Sequence, residues 1–178
     1  SGMRLKIRIG LPLEEAVACT LWTIFAHAHD ASSISPILAI QAPTIECGKT
    51  TLAELCSEMT PRPLPSSNIT PQAVYRTIEK YHPTLIIDEA DALLPGKEDL
   101  RGILDAAHTR KMAKVIRLVG DDFEPTAFST WCPKMLVGIG ALPKKSLQSR
   151  SIVIVMKRAT AQEKRRVTPF VLREKDRV

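Results

Sequence analysis

No apolar run in this 178-residue chain approaches the roughly 20 residues that a membrane-spanning helix needs, and no signal peptide opens it. Both absences predict a soluble, cytoplasmic protein with no membrane partner. The four cysteines, Cys19, Cys47, Cys56 and Cys132, are widely spaced and form no C-x-x-C pair, which suggests neither a zinc site nor a disulfide framework. His27 and His29 fall near the end of an expected helix, where a satisfied or solvated imidazole is expected rather than a metal ligand. There is no internal repeat, heptad series or low-complexity segment. Ser1-Gly2 ahead of Met3 reads as a remnant of tag cleavage. A chain of this length fits one domain with a full core.

What the chain does contain is a short apolar run, Pro36-Ile37-Leu38-Ala39-Ile40, ending in Gln41-Ala42-Pro43-Thr44-Ile45-Glu46-Cys47-Gly48-Lys49-Thr50-Thr51. Read as buried strand, tight loop and helix start, this is a phosphate-binding loop of the G-x-x-x-x-G-K-[ST] type. The residue types suit the chemistry. Gly48 lets backbone approach a phosphate, Lys49 reaches the terminal phosphates, and Thr50 offers a hydroxyl to Mg²⁺. The N–H groups that open the next helix complete an anion cradle, so residues 43–51 are the expected nucleotide-binding segment. Pro43 stands where the first glycine of the pattern belongs, and its fixed φ requires a different entry into the turn. Cys47 reads as a passive small residue, with oxidation sensitivity as the alternative.

Further along, Pro83-Thr84-Leu85-Ile86-Ile87-Asp88-Glu89-Ala90-Asp91 is an apolar strand ending in carboxylates, the Walker B form. Asp88 is expected to hold Mg²⁺ through water, and Glu89 to polarise an attacking water. The two motifs, in this order and each at a strand end, point to a nucleoside triphosphatase. ATP is expected rather than GTP because no N-K-x-D-like segment is present.

Helices are expected over residues 11–29, 49–59, 71–81 and 98–110. The first should bury Leu13, Val17, Leu21, Ile24, Phe25 and Ala28. Thr70-Pro71 supplies an N-cap and a first-turn proline for the third. Residues 61–65 read as an extended connection, 66–69 as a short strand and 93–97 as a loop. Strands at 114–119 and 127–131 form a hairpin around Gly120-Asp121-Asp122, and further strands run over 134–139 and 151–156. Alternating helices and apolar strands predict an α/β protein with a mainly parallel central sheet covered on both faces.

These residues resemble a family of P-loop domains of unassigned function found in phage, plasmid and bacterial proteins, often near toprim-type primase or helicase-like modules. The resemblance runs through Leu21-Trp22, the two motifs, Leu100-Arg101-Gly102-Ile103-Leu104, Gly138-Ile139-Gly140 with Leu142-Pro143, and Arg150-Ser151-Ile152. Asp105 stands where asparagine is usual in that family. More distantly the chain is similar to the additional-strand ATPases with a catalytic glutamate, including the AAA+ group. What this implies is a three-layer P-loop NTPase fold over residues 3–156 and a Mg²⁺-dependent ATPase, part of a DNA-processing protein. It also implies that Arg150, just ahead of the last strand, acts across a subunit boundary of a homo-oligomer; a surface arginine capping the sheet edge is the alternative. No Asn, Thr or Ser stands near Gly138–Gly140, where related proteins keep a polar sensor.

Of the chain's net charge of +6, residues 157–178 carry +5, from eight basic and three acidic side chains. This segment reads either as a basic tail that contacts DNA or as the start of a lid; little chain follows the last strand for a full helical lid. A nucleotide-binding switch or scaffold that hydrolyses little is the alternative to an active ATPase.

Overall fold

The structure, a computed structural model, describes residues 11–158 except Lys144. The remainder of the basic tail, beyond Arg158, lies outside the described residues, as do residues 1–10.

The central strand is β1 (Ile37–Ala42), buried along its whole length. It lies in a five-stranded parallel sheet with β2 (Pro63–Ser66), β3 (Thr84–Ile87), β6 (Lys134–Ile139) and β7 (Ser151–Val155), in the order β2-β3-β6-β1-β7. A strand with neighbours on both edges and helices on both faces has no solvent side, which is why β1 reads as a continuous apolar run. Its side chains alternate: Ile37 and Ala39 enter one core, Leu38, Ile40 and Ala42 the other. The second core is closed by α1 (Leu13–His27) and α2 (Lys49–Glu58). The first is closed by α3 (Pro71–Tyr81), the short α4 (Ala90–Leu93), α5 (Glu98–Ala106) and α6 (Lys145–Ser149). The result is three layers, helices on either side of the sheet. None of the described helices is long and apolar enough to cross a membrane.

Local signals explain most boundaries. The Thr70 side chain accepts a hydrogen bond from Ala73 N (3.2 Å), Pro71 occupies the first turn, and His82 closes α3 in a left-handed conformation. Leu100, Ile103, Leu104 and Ala107 are buried as their spacing predicts, although α5 ends at Ala106 rather than at residue 110. Residues 90–93, expected in part as loop, form α4.

Three expectations are corrected. The buried face of α1 is Ala16, Cys19, Trp22, Thr23 and Ala26, whereas Leu13, Val17, Leu21 and Ile24 face outward, Leu21 60% exposed. Small residues let the helix lie close to the sheet, with Trp22 filling the space and donating its Nε1–H to Pro36 O (3.0 Å). Second, the strand expected at 66–69 lies instead at Pro63–Ser66, inside the proline cluster. Thr84 N donates to Arg62 O and Asp88 N to Ser66 O, so the even-numbered residues of β2 face β3 and Pro63 and Pro65 face away. Prolines are tolerated there because no ladder bond needs their missing N–H. Third, the hairpin partner of β4 (Lys114–Val119) is β5 (Glu124–Ser129), because a short turn with Gly120 and Phe123 both left-handed lets pairing begin at once. Phe128 docks the hairpin on α3, its ring centroid 4.8 Å from that of Tyr75.

A polar network is sealed beneath the N-terminal ends of the strands. Lys134 Nζ donates to Ser35 Oγ (3.2 Å), Ala107 O (3.0 Å) and Cys132 O (2.8 Å), three acceptors that suit an ammonium. Ser35 Oγ spends its one hydrogen on Cys132 O (3.1 Å), so the Nε2 of His29 is the donor in its 3.0 Å bond to Ser35. His29 is therefore the satisfied, buried histidine its sequence context suggests. Burial first, then the charge of Lys134 and of Arg110, outweigh Asp30 and bring its pKa down to about 4. In the unfolded chain the imidazole takes up a proton near pH 6.5, so folded stability is full above that pH and declines as pH falls toward 4. The expected loss between pH 7 and 4.5 is about 2 kcal/mol. It should be read from urea midpoints, and His29→Gln should flatten that part of the profile; an unchanged slope would remove His29 as its source.

Candidate functional site

The loop 43–48 leaves the C-terminal end of β1, and α2 begins at Lys49. Two of its last three residues are left-handed, Glu46 (φ 62°) and Gly48 (φ 79°), the latter capping α2. Glycine takes that conformation without penalty, whereas glutamate pays roughly 1 kcal/mol or more. Pro43 cannot supply a positive φ, so the turn is made later, at Glu46 and Gly48. Leu52 N donates to Gly48 O (3.0 Å), the first bond of the helix. Cys47 is buried, its Sγ 3.4 Å from Thr44 Oγ1 and donating to Ile45 O. Lys49 is half-buried, and Pro43, Thr44, Ile45, Glu46, Thr50 and Thr51 are exposed. The N–H groups of Lys49, Thr50 and Thr51 sit in the first turn of a ten-residue helix, where the chain offers no intrahelical acceptors.

Asp88 and Glu89 follow β3. Asp88 Oδ1 accepts from Glu89 N (2.9 Å), which fixes one carboxylate oxygen and leaves the other without a hydrogen bond among the described residues. Glu89 is exposed and left-handed (φ 54°), a strained conformation that starts α4. Because β6 alone separates β1 from β3, the ends of those two strands lie about 10 Å apart, two strand spacings. The loop and the carboxylate pair thus flank the end of β6, Gly138–Gly140.

Why that end carries no polar side chain has a steric answer. A Cβ at Gly138 would stand 2.7 Å from Asp91 Oδ1 and 3.1 Å from Asp91 N. The same Asp91 oxygen accepts from Ile139 N (2.9 Å), tying α4 to β6. The space that a side chain at Gly138 would take is filled by the Asp91 carboxylate. Gly140 N donates to Ala42 O (2.9 Å), which seats β6 against the loop's origin.

Arg150 is not brought to this site. It precedes β7, whose first residue is in register with Ile37, so it lies at the other end of the strands, roughly 16 Å along β1 from Ala42. Its Nη1 donates to Asp105 Oδ1 (2.5 Å) and Asp105 O (2.7 Å), while Ser146 Oγ donates to Asp105 Oδ2 (2.8 Å).

Three residues at the site escaped sequence reasoning. Arg158, counted only as part of the basic tail, pairs with Glu46 (Nη2 to Oε2, 3.3 Å), and Met156 N donates to Gln41 O (2.7 Å), so the chain after β7 runs beside the loop. The pair is exposed and adds little stability, but it sets a guanidinium against the loop. Gln41 is 7% exposed and its Nε2 has no hydrogen-bond partner. A lone amide in an otherwise apolar strand was the signal for it. Asp91 was visible only as one more acid after the strand.

Hard oxygen ligands are present for a Mg²⁺ ion at Thr50 and Asp88, with one Asp88 oxygen uncommitted. No cluster of three or more His, Cys, Asp or Glu side chains that could hold a metal occurs among the described residues. No protein-family model matches the chain, and no curated protein matches it.

Proposed function

We propose that the protein has a P-loop NTPase fold and is a Mg²⁺-dependent ATPase. The observation that carries the reading is the placing of the left-handed loop before Lys49 and of the Asp88-Glu89 pair at the same end of the sheet, one strand apart. The insertion of β6 between β1 and β3 is the additional-strand order, which supports the same reading. Lys49 and the first N–H groups of α2 bind the phosphates, and Glu89 orients and polarises the attacking water. Thr50 and Asp88 hold Mg²⁺, which when bound neutralises charge on the phosphate oxygens. ATP turnover by the wild-type chain, with and without DNA, tests the proposal directly.

A nucleotide-operated switch with little hydrolysis is the second reading, favoured by Gly138–Gly140, where Asp91 stands in for a polar sensor. Wild-type turnover no faster than that of Glu89→Gln would select it.

The proposed employment is on DNA, with the basic segment after β7 as the contact. Removing residues 159–178, which carry six basic and three acidic side chains, should weaken binding to a DNA oligonucleotide and flatten its salt dependence, since each phosphate contact releases counterions. Equal affinity of full and shortened chains across a salt series excludes the tail as the contact.

A further inference from the structure

A second concave site lies at the opposite end of the strands. It is a cleft of about 960 Å³, bounded by the end of α1, the segments leading into β2 and β3, and the connection from β5 to β6. Arg62 and Arg110 line it together with His27, His29 and His82, and Asp30 is the one carboxylate among the lining residues. The buried Lys134 Nζ donates to the carbonyl of Cys132, a lining residue, and burial holds its pKa below the usual lysine value.

Backbone strain marks the same place. Five non-glycine residues are left-handed among the described residues: Glu46 and Glu89 at the nucleotide site, Phe123 in the hairpin turn, and Arg62 (φ 46°) and His82 (φ 45°) in this cleft. Capping α3 explains His82, but no helix ends at Arg62. The two are locked together, Arg62 Nε donating to His82 O (2.7 Å), while Thr84 N donates to Arg62 O (3.1 Å) and Thr84 Oγ1 to Pro61 O (2.8 Å). Strain held in place by a bonded frame is found where a side chain must be aimed. With Nε so engaged, both Nη groups of Arg62 have no protein partner among the described residues. Arg110 uses Nη1 on Asp30 O and lies 5.9 Å over the Trp131 ring, which leaves its Nη2 similarly uncommitted. Trp131 is 8% exposed, lines the cleft, and its indole N–H has no hydrogen-bond partner.

We propose that this cleft binds a phosphate group, on a free phosphate-bearing ligand or a nucleic-acid strand, independently of the loop at Gly48. Planar guanidinium forks match phosphate oxygens in pairs, and two of them in one cleft favour a dianion or a phosphodiester over a lone carboxylate.

The two tryptophans supply the test. Full-length ¹⁵N-labelled protein shows two indole N–H signals, and Trp131→Phe assigns them. Inorganic phosphate is titrated into the millimolar range at constant ionic strength, with a single-stranded oligothymidylate in a parallel arm and acetate as control. The Trp131 signal should move saturably while that of Trp22, bonded to Pro36, stays. Arg62→Gln and Arg110→Gln should each weaken binding about tenfold, and Lys49→Ala should leave it unchanged. Tighter binding of the oligonucleotide identifies a nucleic-acid strand as the source; binding of phosphate alone identifies a free ligand. A Trp131 signal static in both arms, an equal response to acetate, or loss of the response in Lys49→Ala overturns the proposal. Since Lys49→Ala retains the cleft, failure of the ATPase reading leaves this result untouched.

Discussion

Glu89→Gln should bind ATP as wild type does and turn it over about 10²–10⁴-fold more slowly, the range expected when a positioned acid–base group is removed. Lys49→Ala should instead lose ATP binding. The contrast follows from placement. Lys49 opens α2 beside the N–H groups that on the proposed reading meet the phosphates, so its charge would act on the ground state. Glu89 stands across the end of β6, exposed and held in a left-handed turn by the helix it starts, and on the proposed reading it meets the attacking water rather than the bound phosphates. An amide keeps the shape and loses the charge that polarises water. Calorimetry with Mg²⁺ and steady-state turnover read the two effects separately. Equal ATP affinity in wild type and Lys49→Ala would sink the assignment, and so would full turnover in Glu89→Gln.

Arg150→Ala is expected to act twice. Within the subunit it removes the ion pair from Arg150 to Asp105, whose side chain is only 14% exposed, at a cost of about 1–3 kcal/mol in stability. Across a subunit boundary, an arginine that meets the transferring phosphate is worth roughly 10³ or more in turnover. Asp105→Asn separates the two, because it removes the ion pair and keeps Arg150. If the trans role holds, Asp105→Asn is destabilised yet active, while Arg150→Ala binds ATP and is inactive well below its Tm. Mixing Lys49→Ala with Arg150→Ala then restores part of the activity in a concentration-dependent way, since each supplies what the other lacks. A mixture that stays inactive where wild type assembles and turns over leaves Arg150 with Asp105 alone.

How much was legible depended on whether the determining contacts were local. α3 was read to the residue because Thr70, Pro71 and the following apolar positions settle it within one stretch. β1 and β6 were legible because burial on both faces leaves a continuous apolar run. α1 was placed correctly but turned the wrong way, since it is apolar on two faces and periodicity alone cannot choose between them; the approach distance to the sheet chose the small residues. The loop and carboxylate motifs came from the sequence, but their meeting at one end depended on strand order. Arg150 and Asp105 are 45 residues apart, and the phosphate cleft is assembled from separate segments, so neither had a local signature.

The two margins of the sheet differ in what they offer to another chain. On the β2 side, Pro63 and Pro65 both point their backbone outward, and neither has a hydrogen to donate. A foreign strand arriving there would find carbonyls without the alternating donors that a ladder requires. The β7 side has no such guard among the described residues: residues 152–155 are a β-branched run, the outer rim of the strand carries no partner strand, and Val155 is exposed. Among the described residues, strand addition from another molecule, whether orderly pairing or the first step of aggregation, therefore finds one open margin. A single proline at an outward-facing position of β7 would close the remaining template.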